Sequence, residues 1–142
     1  MLLKDIMTKD VITVTPDTPL REAGRLMKEK RISGIPVVDG SGVPVGIITV
    51  TDILKIVKEI YQWQQIEKKA TGLNISDLVE KESLNKKVGD VMTKKVFTLT
   101  VDKSVKDLME LVFTKNIHTV PIMENEKLVG VIGKRDLIYK CF

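Results

Sequence analysis

The side chains able to do bond-making chemistry are few. His118 is the sole histidine and Cys141 the sole cysteine. A nucleophile needs a base and an orienting partner, and these two residues supply no such cluster, so we expect no enzyme activity and no catalytic residues. A zinc site wants about four Cys or His ligands, so none is expected and the metal assignment is none. No glycine-rich loop of the G-x-x-x-x-G-K-[ST] type occurs, which argues against a nucleotide hydrolase. What remains are two carboxylates at equivalent places, Asp52 after Gly46-Ile47-Ile48 and Asp136 after Gly130-Val131-Ile132. Each precedes an apolar helical pattern, where an aspartate caps and charges the first turn.

The elements that position these acids occur twice. Residues 5–40 align without gaps on 90–125, and residues 45–54 align on 129–138 after a one-residue deletion. Sixteen of the 46 pairs are identical, where chance gives about three. Asp5-Ile6-Met7-Thr8 matches Asp90-Val91-Met92-Thr93, and Ile35-Pro36-Val37-Val38 matches Val120-Pro121-Ile122-Met123.

Within each copy the periodicity alternates. Val11–Thr15 and Val96–Thr100 are β-branched and predict strands. Thr18 followed by Pro19, a favourable first helical residue, predicts a helix start, with Leu20, Ala23, Gly24 and Met27 on one face. In the second copy Ser104 and Asp107 form a capping box ahead of Val105, Leu108, Met109 and Val112. Two apolar strands follow, Gly34–Val38 and Pro44–Thr49, joined by the turn Asp39-Gly40-Ser41-Gly42; the second hairpin turns at Glu124-Asn125-Glu126-Lys127. A last helix begins near Thr51 or Asp52, carries Ile53, Ile56, Val57 and Ile60, and runs through Trp63 and Ile66 to about Ala70; its counterpart spans Lys134 to Tyr139. The fold class is therefore α/β of the α+β type, two β-α-β-β-α units packed about a pseudo-twofold axis. The first unit covers residues 1–70 and the second 86–142, with 71–85 as a connector in which Ile75, Leu78 and Val79 fit one short helix.

Composition narrows the function further. The chain has 142 residues, 43% hydrophobic and 30% charged, as in folded globular proteins. Aromatics are only 4% and the basic residues scattered despite a net charge of +4, which argues against nucleic acid as a partner; salt-dependent DNA or RNA binding would be the sign of that third reading. The apolar stretch Val43–Val50 is interrupted and far short of the roughly 18 residues of a membrane span. Early charges at Lys4 and Asp5 leave no secretory pattern, and a single cysteine agrees with a reducing compartment, so a cytoplasmic location is expected.

The opening D-h-M-T, the V-x-T strand, the segment leading to Pro-Val or Pro-Ile, and G-h-h-x-x-x-D into the last helix appear twice and in order. Together they resemble the cystathionine-β-synthase (CBS) domain family over about residues 3–60 and 86–141, and the chain resembles a stand-alone pair, often called a Bateman module. The resemblance implies a regulatory sensor in which two clefts between the repeats take adenosyl ligands such as AMP, ADP, ATP, S-adenosylmethionine or NAD-type dinucleotides. No cofactor is required. A homodimer and an unidentified regulated protein are the expected partners. A ligand-free interaction module, dimerising through the helix with Ile53, Ile56, Val57, Ile60 and Trp63, is the alternative.

By the same resemblance, Asp52 and Asp136 would accept hydrogen bonds from ribose hydroxyls, with helix capping as the plainer role of each. Thr49 would add a hydroxyl in cleft A, where the second copy has Gly133, so cleft A is expected to be the better nucleotide site and cleft B weak or differently tuned. The base pocket of cleft A would combine Thr93, Phe97 and Ile117 with Ile47, and that of cleft B Thr8, Ile12 and Ile32 with Val131. Ile47 and Val131 fit inter-repeat core equally well. Ser33 and His118, at equivalent positions, would face phosphates. A structural or surface role for His118 stays open, as does plain solvation of Lys134 and Arg135 near the mouth of cleft B.

Overall fold

The computed structural model describes residues 1–67 and 86–141. Helix α1 (Leu20–Lys30) is followed by β1 (Gly34–Val38), β2 (Pro44–Thr49) and α2 (Val50–Glu67). The second copy runs through α3 (Val88–Val91), β3 (Leu99–Thr100), α4 (Val105–Lys115), β4 (Thr119–Glu124), β5 (Lys127–Gly133) and α5 (Lys134–Cys141). A 3-10 turn at Leu3–Asp5 precedes them. The expected short helix in the connector, and the extension of α2 to Ala70, lie outside the described residues.

The apolar runs form the two hairpins expected of them. β1 pairs antiparallel with β2, placing Ile35 opposite Ile48, and all five β1 residues are buried, as a strand covered on both faces must be. β4 pairs with β5 in the same way, placing Val120 opposite Ile132. Asn125 and Glu126 both take positive φ, the signature of a two-residue turn whose twist matches the strands it joins. In the first hairpin the Asp39 carboxylate accepts from the Ser41 and Val43 amides at 2.8 and 3.1 Å, and Gly42 supplies the positive φ.

Three local expectations are corrected. The predicted strands Val11–Thr15 and Val96–Thr100 contract to one bridge, Val14 beside Val37, and to the two residues of β3 beside β4. In the first copy the Thr15 amide donates to the Thr18 hydroxyl at 3.0 Å, a turn that removes it from any ladder. Pro19 is the residue before α1 rather than its first helical residue, since its ψ of 138° is extended. Helix α2 begins at Val50, slightly earlier than predicted. The Ser104–Asp107 capping box forms as expected, with the Asp107 amide 3.3 Å from the Ser104 hydroxyl and the Ser104 amide 2.9 Å from the carboxylate.

The two cores do not follow the sequence repeats. One contains Val14, Leu20, Met27, Ile35, Ile48 and Ile56, completed by Val88 from the second copy. The other contains Leu108, Val112, Val120, Ile122 and Ile132, completed by Leu3 and Ile6 from the first. Each repeat thus sends its opening segment into the other's core. Equivalent backbone bonds fix the exchange: Leu3 N donates to Lys103 O at 2.9 Å, and Val88 N to Thr18 O at 2.8 Å. Two glycines make room for it. A Cβ on Gly46 would lie 2.6 Å from Met92 Sδ, and one on Gly130 would lie 2.4 Å from Met7 Sδ.

Gly130→Ala should therefore overpack Met7 and lower unfolding stability by about 1–3 kcal/mol in a denaturant titration, part of which Met7→Ala restores in the same chain. Unchanged stability would refute the exchanged packing. A second expectation concerns acid. The Ser104 amide, and then its hydroxyl, hold the Asp107 carboxyl below its ordinary value of 3.8. A depressed folded-state pKa stabilises above the unfolded value and loses that contribution as pH falls through the folded one. The stability gap between the parent chain and Asp107→Asn should therefore close below about pH 4, measured by melting at stepped pH.

Candidate functional site

The opening D-h-M-T segments, once exchanged, bring their threonines to the helix starts of the opposite repeat. Thr93 forms a two-bond bridge with Ile47, N–H to O at 2.8 and 2.9 Å, and its hydroxyl donates to Asp52 Oδ1 at 3.0 Å. Thr8 forms the equivalent bridge with Val131, at 2.9 and 3.0 Å, and donates to Asp136 Oδ1 at 3.1 Å. The capping role of both acids is present as well. Asp52 Oδ2 accepts from the Thr49 amide at 2.9 Å and the Thr49 hydroxyl at 3.0 Å, and Asp136 Oδ2 accepts from the Gly133 amide at 2.7 Å.

Each acid stands in the wall of a cleft between the repeats. Cleft A has a volume of about 400 Å³ and brings together Thr49, Asp52, Ile47, Thr93, Phe97 and Ile117. Cleft B, about 720 Å³, brings together Thr8, Ile12, Ile32, Val131 and Asp136. Both groupings agree with those expected from the sequence. Ser33 and His118, both exposed, line the two clefts alike. Ile47 is 8% exposed, so it serves the core and the cleft together; Val131 is half-buried. Lys134 and Arg135 line cleft B, and the Arg135 guanidinium donates to Arg31 O at 3.3 Å.

The acceptor capacity left on the two carboxylates runs opposite to the expected ranking of the clefts. An ionised carboxylate offers about four acceptor positions. Asp52 accepts three internal bonds and is 3% exposed, leaving one position for a ligand. Asp136 accepts two and is half-buried, leaving two, the number a vicinal diol requires. Thr49 does not offer its hydroxyl to the cleft because that hydroxyl is spent on Asp52. The glycine at 133, which looked like a missing donor, leaves its acid open.

Further cleft residues were missed as solvated charge. Lys55, Lys95 and Lys115 line cleft A, with the latter two ammonium groups 5.2 and 5.8 Å from the Phe97 ring centroid. Asp10, Lys30, Arg31 and Tyr139 line cleft B. The repeat alignment carried the signal: Lys30 aligns with Lys115 and Asp10 with Lys95, and Lys55 and Tyr139 directly follow the aligned segments. Arg31 adopts the left-handed conformation at φ 54°, as does the aligned Asn116, although arginine is poorly suited to it. Basic groups outnumber acidic ones in both clefts, three against Asp52 alone in A and four against Asp10 and Asp136 in B.

Known proteins share the sequence pattern and the fold. The chain is 35% identical to an uncharacterized protein of Methanocaldococcus jannaschii, over 97% of this chain and 89% of that one. It is 34% identical to the inosine-5′-monophosphate dehydrogenase of the same organism, over 94% of this chain but only 22% of the enzyme. Among solved structures, a CBS-domain containing protein of Agrobacterium tumefaciens superposes with a TM-score of 0.77 at 28% identity, covering all of both chains. A CBS domain pair in complex with 5′-methylthioadenosine and S-adenosyl-L-methionine superposes with a TM-score of 0.73 at 25% identity, over 99% of this chain and 95% of that one. The CBS domain family profile matches residues 3–59 and 88–141, and with both repeats so matched the chain belongs to the CBS domain family.

Proposed function

We propose that this protein is a regulatory sensor that binds a phosphorylated adenosyl ligand in the clefts between its repeats, with cleft B as the principal site. The observation that carries the reading is Asp136, a half-buried carboxylate with two acceptor positions left, opening onto a 720 Å³ hollow. A ribose diol would donate to it, in charge-assisted bonds worth roughly 1.5–3 kcal/mol each. Ile12, Ile32 and Val131 offer the base an apolar slot, and Lys30, Arg31, Lys134 and Arg135 offer the phosphates cations. The solved relative with 5′-methylthioadenosine and S-adenosyl-L-methionine supports an adenosyl ligand. The excess of basic groups in both clefts disfavours a sulfonium cation and favours phosphates.

The similarity to the dehydrogenase covers too little of that enzyme to bring its activity across. The output of this module is a change in helix position read by a partner protein in the cytoplasm. A second copy of the chain is the first such partner. Leu54 on α2 and Ile138 on α5 are aligned positions, 56% and 59% exposed, and a twofold assembly would cover both.

AMP and ADP at about one hundred times Kd should raise unfolding stability by about 2.7 kcal/mol, and S-adenosylmethionine by much less at equal concentration. Asp136→Asn should weaken AMP binding tenfold or more; flat melting curves with every adenosyl compound would sink the sensor reading. For assembly, sedimentation should show a dimer that Leu54→Asp dissociates, and a monomeric parent chain would refute it.

A further inference from the structure

The two clefts share a wall. Ser33, His118 and Thr119 line both of them. At the start of the two hairpins β1 and β4 meet so closely that a Cβ on Gly34 would stand 2.8 Å from Thr119 Oγ1, and Thr119 is 7% exposed. The partition is thus a few residues thick, packed at its base, and topped by the exposed side chains of Ser33 and His118.

That wall is also tied to the helices bearing the acids. Ser33 O accepts from the amide of Val50, the first residue of α2, at 3.0 Å, and His118 O accepts from the amide of Lys134, the first residue of α5, at 3.1 Å. The symmetry fails only in side chains. One copy supplies an imidazole, a ring able to donate to a phosphate from either nitrogen, and the other a serine.

The geometry points to antagonism between the clefts: an anionic ligand in one takes the single His118 side chain and places negative charge against the thin partition, weakening an anionic ligand in the other. This rests on the sensor reading above and adds the coupling between its two sites. Two effects act in the same direction. The imidazole that orients toward cleft B is withdrawn from cleft A, and phosphates on opposite sides of one wall repel across protein rather than water. Such coupling is reciprocal, so filling cleft A weakens cleft B by the same factor.

Site-resolved titration of the full chain with AMP tests it, reading the backbone amide resonances of Ile47 and Thr93 for cleft A and of Thr8 and Val131 for cleft B. With cleft B emptied by Asp136→Asn, or by Arg135→Glu should the first variant fold poorly, cleft A should bind AMP about five-fold or more tightly than it does in the parent chain. In His118→Ala the difference between the two affinities of cleft A should shrink to the part that repulsion across the wall supplies. Ser33→His, which gives each cleft its own imidazole, should reduce the difference. Equal affinity of cleft A with cleft B filled or empty, or a cleft A that stays empty even when cleft B is disabled, would overturn the coupling and leave the sensor reading standing. No AMP-dependent shift in either set would overturn both.

Discussion

Neither repeat completes its own core. Leu3 and Ile6 fill the core of the second copy and Val88 that of the first, so each unit needs the other to close its core. Everything at the clefts depends on this exchange. The same opening segment that fills a core ends in the threonine whose amide and carbonyl bridge β2 or β5 and whose hydroxyl reaches the aspartate. Packing and site are consequently set by one short stretch of chain. A glycine in the facing strand, Gly46 or Gly130, admits the methionine that precedes the threonine.

The repeat and its element order were legible because duplication supplies two independent readings of each pattern. The Ser104–Asp107 box, the hairpin turns and the apolar faces were all set by local chemistry, and they form as read. The first strands were misjudged because β-branched composition says nothing about whether a neighbour offers a ladder; Thr15 bonds Thr18 instead. The segment exchange was illegible for a related reason. Leu3 and Val88 look apolar in either lobe, and only the closed structure decides which core each enters. The grouping of residues into two clefts came through the resemblance, whereas the lysines and arginines around them were hidden among ordinary surface charge.

The comparison of Asp52 with Asp136 shows how a missing side chain can free acceptor positions on a neighbouring carboxylate. A hydroxyl three residues before an acid looks like an added ligand donor, but in a tight helix start it faces the acid itself. Thr49 saturates Asp52 on one oxygen while Thr93 holds the other. Replacing that threonine by Gly133 removes one bond and leaves the amide contact, so the carboxylate keeps its position and regains capacity. The helix geometry is retained in both copies, and only the acceptor count differs.

Where the two copies differ follows from what twofold closure demands. Positions facing the cores exchange like for like, Ile35 with Val120, Val37 with Ile122, and Ile48 with Ile132, because each must fill an equivalent apolar space. Positions lining the clefts divide: Thr8 with Thr93, Lys30 with Lys115, Ile32 with Ile117 and Asp52 with Asp136 are identical, whereas Asp10 with Lys95, Ser33 with His118 and Thr49 with Gly133 change chemical type. A symmetric scaffold thus carries two hollows of different size and charge pattern on either side of one wall. Symmetry is costly to break where volume is conserved and nearly free where water is the neighbour, so the two copies keep the same acids and threonines and differ at partly or fully exposed positions of the cleft walls.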